Sequence, residues 1–130
     1  MRGTKPTLVI SNDGVTRTPA APSWLSVEAK KEWRRVTPIL IKRRILTTAD
    51  LGSLESYCAS IGAIREAQAI LNAEGLILDG KRHPAFGIMN AAQTTARLCA
   101  AELGLTPVSR SRPAIREDDD GDGINPLDIS

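Results

Sequence analysis

The sequence TTADLGSLESYCASIGAIREAQAILNAEG, residues 47–75, contains the longest helical pattern of this 130-residue chain. Thr47 and Asp50 have the spacing of a capping box at its start, and Gly75 is typical of a helix C-terminus. Between these signals, apolar residues recur every three or four positions: Leu51, Leu54, Cys58, Ile61, Ile64, Ala67 and Leu71. A helix of this length extends about 40 Å, so the other elements must pack along it.

A shorter amphipathic helix is predicted before this stretch. Ser26 is a good N-cap, and the apolar positions that follow it are Ala29, Trp33, Val36 and Leu40. Pro38 lacks a backbone N–H, so we expect it to kink this helix or to end it. Two helices joined by a short polar connector have the outline of a helix-turn-helix-like unit, which many helical hairpins share.

A hairpin and a third helix are predicted after Gly75. Leu76, Ile77 and Leu78 form a short apolar run, Asp79-Gly80 is a strong two-residue turn signal, and Lys81, Arg82 and His83 form the return strand. Pro84 suits the first turn of the next helix, which Gly104 and Pro107 end. The apolar positions of that third helix are Phe86, Met89, Ala92, Ala96, Cys99 and Leu103, a stripe rich in alanine that lets a neighbouring helix approach closely.

The predicted fold is therefore mainly α: a helical hairpin with a long central helix, a short β-hairpin and a third helix, between disordered N- and C-terminal tails. Residues 1–23 are expected to form a flexible basic arm, and residues 24–105 a helical core for oligomerisation and DNA binding. Residues 106–130 form a polar, acidic C-terminal tail. A foldable part of this size has a modest core, and self-association would help to stabilise it.

Charge is distributed unevenly along the chain, although its formal net value is only +2. Residues 25–46 carry seven basic and two acidic side chains, whereas residues 47–75 and 106–130 are each net acidic. Basic segments of this kind attract phosphates, which position a protein without reading base sequence. The candidate DNA-binding residues are Arg2, Lys5, Lys30, Lys31, Arg34, Arg35, Lys42, Arg43 and Arg44.

The sequence offers no pattern typical of catalysis or of a cofactor. It has no phosphate-binding GxxxxGK[ST] loop and no zinc-ligand spacing, and its only histidine, His83, is predicted to be a turn or packing residue. The acidic run around Asp118 and Asp120 resembles the start of a calcium loop, but the twelfth position would be Ile129 instead of the required Glu. We therefore expect no enzyme activity, no metal and no cofactor.

The two cysteines, Cys58 and Cys99, lie at apolar positions of predicted helices and are expected to be small buried hydrophobes in a reducing cytosol. No apolar run approaches the roughly 18–20 residues of a membrane span, so no membrane is expected as a partner.

The order of several short motifs resembles the small terminase subunits of tailed double-stranded DNA bacteriophages. These motifs extend over roughly residues 2–112 and are, in order, Arg2-Gly3-Thr4-Lys5-Pro6, Pro22-Ser23-Trp24-Leu25, Ala29 to Trp33, Leu46-Thr47 with Asp50, Tyr57-Cys58, Glu74-Gly75, His83-Pro84, Glu102-Leu103-Gly104-Leu105-Thr106-Pro107 and Ser109-Arg110. The resemblance implies a non-catalytic packaging factor of the host bacterial cytoplasm. Such a factor binds double-stranded viral DNA, assembles as a homo-oligomeric ring (a nonamer is favoured) and recruits the large terminase subunit, which carries the ATPase and the nuclease.

By the same resemblance, the C-terminal tail is expected to contact the large subunit through apolar anchors beside acidic residues. A polar segment of this composition orders only on a partner and loses its chain entropy at that moment. The candidate partner-binding residues are Ile115, Asp118, Asp119, Asp120, Ile124 and Leu127. In an alternative interpretation, the acidic run lies against the basic residues of 25–46 and competes with DNA.

Two other classes of protein remain open from the sequence. A helix-turn-helix transcription regulator would need base-reading side chains at the start of its second helix, where this chain has Ala-Asp-Leu-Gly-Ser. A structural phage ring or connector protein would share the oligomeric state without DNA binding by the isolated protein.

Overall fold

The computed structural model describes residues 14–107. The helix α1 covers Val27–Lys42, a single 3₁₀ turn covers Thr48–Asp50, and the long helix α2 covers Leu51–Glu74. A two-stranded hairpin of β1 (Ile77–Leu78) and β2 (Lys81–Arg82) leads into the helix α3, Pro84–Glu102. The predicted mainly helical fold, with its long central helix, short hairpin and third helix, is confirmed.

The start of α1 is as predicted, and of the two effects expected at Pro38, a kink or an end, the end is excluded. The Ser26 hydroxyl caps the helix by accepting a hydrogen bond from the backbone N–H of Ala29, at 3.1 Å. The helix does not end at Pro38 but continues to Lys42, so that expected end is wrong. Pro38 has no N–H to donate to the carbonyl of Arg34, four residues earlier. Both residues lie on the exposed side of α1, so water can solvate that carbonyl.

The predicted boundaries of the long helix are confirmed. The Asp50 carboxylate accepts hydrogen bonds from both the backbone N–H and the hydroxyl of Thr47, each at 2.9 Å, and the 3₁₀ turn leads directly into α2. At the other end Gly75 has a φ of +88°, a conformation that side chains with a Cβ rarely adopt. Each member of the predicted apolar stripe of α2 is buried or half-buried.

The hairpin forms at the predicted turn. Asp79 and Gly80 both have positive φ, +52° and +75°, as a tight two-residue hairpin turn requires. The strands pair antiparallel, with Ile77 opposite Arg82 and Leu78 opposite Lys81.

The base of the hairpin is tied to both long helices by His83, a buried residue that follows β2 directly. Its Nδ1 accepts a hydrogen bond from the backbone N–H of Ala85 at 3.0 Å and so caps α3. Its Nε2 lies 2.7 Å from the Glu74 carboxylate at the end of α2. The single histidine is thus a turn and packing residue, as expected from the sequence.

The buried residues form two clusters along α2. The larger cluster joins α1, the first half of α2 and the second half of α3, and its largest fully buried apolar members include Leu40, Leu46 and Leu54. The smaller cluster consists of Ala67, Leu71, Ala85 and Met89 and contains no residue of α1. Beyond the N-terminus of α1, which lies beside Gly62 and Arg65, α2 and α3 therefore continue as a pair of helices without a third. We call this part, residues 66–90 with the hairpin, the distal end.

The contact of α1 with α2 is close because of one glycine. A Cβ at Gly62 would lie 2.8 Å from the Ser26 hydroxyl and 2.9 Å from both the Cβ and the backbone nitrogen of Ala29. Any larger residue at position 62 would push α1 away from α2.

Part of the segment assigned from sequence to the flexible arm lies on the core. The Val15 N–H donates a hydrogen bond to the Leu46 carbonyl at 2.9 Å, and the Trp33 indole N–H donates one to the Pro19 carbonyl at 2.8 Å. Residues 14–24 form no helix, and they are fixed to the connector and to α1 by these bonds.

Candidate nucleic-acid interface

The basic candidates at positions 30–42 lie on α1, mostly on the face opposite its buried residues. Lys31, Arg34, Arg35 and Lys42 are exposed, whereas Lys30 is half-buried. The face that packs into the core carries Ala29, Trp33, Val36 and Leu40. Since α1 has 16 residues, its basic face extends about 24 Å, which is less than one turn (about 34 Å) of a B-DNA duplex.

Arg43 and Arg44 continue this face into the turn after α1. The backbone N–H of Arg43 caps the helix by donating to the Ile39 carbonyl, and that of Arg44 donates to the Ile41 carbonyl. Arg44 has a φ of +60°, in the left-handed region where glycine or asparagine would be less strained. The chain thus keeps an exposed positive charge at a position where backbone geometry favours a smaller residue. We call the seven residues of α1 and this turn the basic surface: Lys30, Lys31, Arg34, Arg35, Lys42, Arg43 and Arg44.

The members of the basic surface differ in how their charges are compensated. Lys31 pairs with Glu28 at 3.1 Å, and Arg35 pairs with Glu32 at 2.6 Å. Within residues 14–107, the remaining exposed members form no ion pair, and Arg34 donates only to the Lys30 backbone carbonyl, at 3.3 Å. The charges most available to a phosphate are therefore those of Arg34, Lys42, Arg43 and Arg44.

A buried carboxylate behind the basic surface holds α1 to α2. Glu32 is 1% exposed, and each of its oxygens accepts two hydrogen bonds. Oε1 accepts from Arg35 Nε at 2.9 Å and Arg65 Nη2 at 2.8 Å. Oε2 accepts from Arg35 Nη2 at 2.6 Å and the Tyr57 hydroxyl at 2.8 Å. A buried charge with all its acceptor positions used fixes the relative position of the two helices.

These contacts change the ionisation of the groups in the cluster. Burial alone raises the pKa of Glu32, but the hydrogen bonds from Arg35 and Tyr57 and the charge of Arg35 outweigh burial and leave that pKa below its ordinary value. Burial and the hydrogen bond to Glu32 raise the pKa of Tyr57 to about 12. Glu32 is thus a carboxylate, and Tyr57 its neutral donor, throughout the physiological range.

This cluster was missed by the sequence reasoning. Glu32 and Arg35 are three residues apart on one helix, and that spacing is the only local signal of their pairing. Arg65 and Tyr57 lie far away in the sequence, and nothing in the periodicity of α2 indicates that they turn toward α1.

Neither cysteine thiol has the environment of a catalytic nucleophile. Burial, and then the negative charge of Glu32, raise the pKa of the Cys58 thiol to about 12, so it stays protonated at neutral pH. Both Cys58 and Cys99 are free and buried, as expected. In the part of the chain described, no three or more His, Cys, Asp or Glu side chains are placed to hold a metal ion. None of the helices of residues 14–107 is long and apolar enough to cross a membrane.

Other candidates from the sequence lie outside the described residues. These are the N-terminal pair Arg2 and Lys5 and the partner-binding candidates of the tail, Ile115, Asp118, Asp119, Asp120, Ile124 and Leu127.

Comparison with known proteins identifies the family. A family model described as "Phage terminase, small subunit" matches residues 29–120, which is more than half of the chain and includes α2, the hairpin and α3. Searches of curated proteins and of solved structures found no match. The match confirms the resemblance seen in the order of the short motifs, and this family is generally non-catalytic. The chain therefore belongs to the small-subunit family of phage terminases, which acts in phage DNA packaging.

Proposed function

We propose that this chain binds double-stranded phage DNA through its basic surface, assembles as a homo-oligomeric ring and recruits the large terminase subunit in the host bacterial cytoplasm. The observation that carries the DNA-binding part is the set of exposed charges on α1 and the turn after it that have no carboxylate partner among residues 14–107. Arg34, Lys42, Arg43 and Arg44 can bind phosphate oxygens without first breaking an ion pair.

A single copy offers only a few such charges, so its affinity for DNA would be low. Each phosphate contact contributes modestly and is weakened by salt. Several copies held in one assembly present the same surface repeatedly, and the second and later contacts are then made at high effective concentration. The small core of the chain and the exposed apolar residues of its distal end also favour association.

Recruitment of the large subunit is proposed on family membership and on the composition of the tail. The candidate residues Ile115, Asp118, Asp119, Asp120, Ile124 and Leu127 combine apolar and acidic side chains, which suits a segment that orders on a partner. Deletion of residues 113–130 tests this part: the truncated protein should keep its mass and DNA affinity but no longer stimulate the large subunit's ATPase. If the tail competes with DNA instead, the truncation should raise DNA affinity and leave the stimulation intact.

The DNA-binding proposal is tested by the salt dependence of duplex binding. Log Kobs is measured against log salt for the wild type and for the triple variant Lys42→Ala, Arg43→Ala and Arg44→Ala. Since each lost phosphate contact flattens the slope by about 0.9, the triple variant should flatten it by up to about 2.7 per bound copy. An unchanged slope would show that the turn does not contact DNA.

A matched pair on α1 serves as the control. Arg34→Ala removes a charge without a carboxylate partner, whereas Arg35→Ala removes one already paired with Glu32. Arg34→Ala should weaken DNA binding more than Arg35→Ala does. Equal effects of the two variants would contradict the assignment of the available charges.

A further inference from the structure

The exposed apolar side chains are concentrated at the distal end. Of the eight large apolar residues that are exposed within residues 14–107, five belong to it: Ile70, Leu76, Ile77, Leu78 and Ile88. The core beneath them is the small cluster of two alanines, one leucine and one methionine. A helical pair that buries so little apolar surface is weakly stable alone. Packing against another protein surface would bury its exposed apolar side chains and stabilise it.

Two surfaces of opposite charge can be distinguished there. On α2, Glu66, Ile70 and Glu74 are exposed and spaced by four residues, so they share one face, the acidic flank. Glu74 also contacts His83, at the base of the hairpin. Glu66 lies about two helical turns earlier on α2 and is therefore the acidic residue of this flank that is farther from the hairpin.

The second surface, the basic edge, is formed by the hairpin and α3. Ile77 lies opposite Arg82 in the strand pair, and the Arg82 guanidinium carbon lies 5.7 Å from the centre of the Phe86 ring. Arg97 follows Phe86 by three helical turns and so lies on the same face of α3. The basic edge is therefore Ile77, Arg82, Phe86 and Arg97.

We propose that the acidic flank of one copy packs against the basic edge of the next copy, head to tail. This inference rests on the proposed ring and names the surfaces that build it. Pairing of like surfaces would bring two acidic flanks or two basic edges together, whereas pairing of unlike surfaces joins opposite charges around large apolar side chains. A second copy is the occupant because it carries both surfaces and is present whenever the chain is made.

The two surfaces lie on different elements: the flank on α2, and the edge on β1, β2 and α3, where Arg97 lies beyond the distal end. In the proposed arrangement the two surfaces face different neighbours, so that one copy binds two others at once. Contacts of this heterologous kind continue from copy to copy and close into a ring when the rotation between copies allows it, instead of stopping at a dimer.

The first test compares two substitutions of exposed apolar residues. Ile77→Asp places a charge in the basic edge, where Ile77 is 63% exposed, and Val27→Asp places the same charge at the start of α1, where Val27 is 69% exposed. Light scattering at micromolar concentration should show that Ile77→Asp raises the dissociation constant of the assembly by about tenfold or more, whereas Val27→Asp keeps the wild-type mass. Far-UV circular dichroism checks that both variants remain helical.

A charge exchange keeps the test decisive if Ile77→Asp disturbs the hairpin itself. Glu66→Arg and Arg82→Glu should each weaken assembly, because each places like charges across the interface. The double variant Glu66→Arg with Arg82→Glu should restore it, since every contact then joins opposite charges again. Mixing the two single variants should restore assembly only in part when the ring has an odd number of copies, because strict alternation then leaves one contact between like charges.

The outcomes separate this inference from the proposed ring. If the wild type is an oligomer and the mass is unchanged in Ile77→Asp, or the double variant is no better than the single ones, the assigned surfaces are wrong and the ring stands. If the wild type itself is a monomer, the ring and this inference both fail.

Discussion

Replacement of Glu32 by alanine tests the contact that holds the basic surface to the rest of the molecule. Removing one partner of a buried ion pair typically costs about 3–5 kcal/mol, because a charge is left buried without compensation. Here the two cations left behind, Arg35 and Arg65, have side chains that are 58% and 39% exposed, so water can solvate them again. The Tyr57 hydroxyl stays buried without its acceptor, which costs about 1–3 kcal/mol. We therefore expect Glu32→Ala to lower the free energy of unfolding by about 3 kcal/mol, at the lower end of the range for buried pairs.

The assay is equilibrium unfolding in urea, followed by far-UV circular dichroism at one fixed protein concentration, because association also stabilises the folded chain. Glu28→Ala is the matched control: Glu28 lies on the same helix and pairs with Lys31 and Arg65, but it is partly exposed. Its replacement should cost less than about 1 kcal/mol. Equal losses of stability in the two variants, or a loss of less than about 1 kcal/mol in Glu32→Ala, would show that the Glu32 contacts do not hold α1 to α2.

The same contact predicts a dependence on pH. The pKa of Glu32 is lowered in the folded protein, so its stabilisation is complete above the pKa of the unfolded chain, about 4.3, and is lost as pH falls through the lower folded value. The difference in stability between the wild type and Glu32→Gln should therefore shrink when the pH is lowered from about 5 to about 3. A difference that stays constant over this range would show that the carboxylate is not the group that titrates.

Three further predictions concern packing and reactivity. Gly62→Ala should destabilise the protein by about 1–3 kcal/mol, because the added methyl group meets Ser26 and Ala29. Gly52→Ala should instead stabilise it by up to about 1 kcal/mol, because a Cβ there meets nothing within 4 Å. Urea unfolding of both variants compares the two effects directly. Trp33→Phe loses the hydrogen bond to the Pro19 carbonyl and should make trypsin cleave faster after Arg17, as followed by mass spectrometry; an unchanged rate would show that this bond does not fix the segment. The Cys58 thiol should not react with a thiol-specific disulfide reagent at pH 8 until urea unfolds the chain, and rapid reaction of the folded protein would contradict its burial.

The parts of the fold that the sequence predicted are those whose signals are local. Thr47 with Asp50, Gly75 and the Asp79-Gly80 turn each act within a few residues, so the ends of α2 and the hairpin follow from the chain itself. The sequence left open whether Pro38 ends α1, because the effect of the proline depends on whether the Arg34 carbonyl, which loses its helical donor, meets water, and that is a property of the packed helix.

The candidate site was also predicted only in part from the sequence. The positive charges of α1 and the following turn are visible in the sequence, but which of them are compensated is not. Arg35 is paired with a carboxylate that Tyr57 and Arg65 also bind, and those two residues come from the next helix. Only the structure separates Arg35 from Arg34 as a candidate for binding phosphate.

The central claim is that several copies of this chain act together on duplex DNA. The most direct test is the mass of the intact wild-type protein, measured by sedimentation equilibrium with and without a short duplex at low salt. We expect one species of several copies, whose mass rises by that of the bound duplex and falls back when salt is raised. A monomer whose mass does not change when the duplex is added would contradict it.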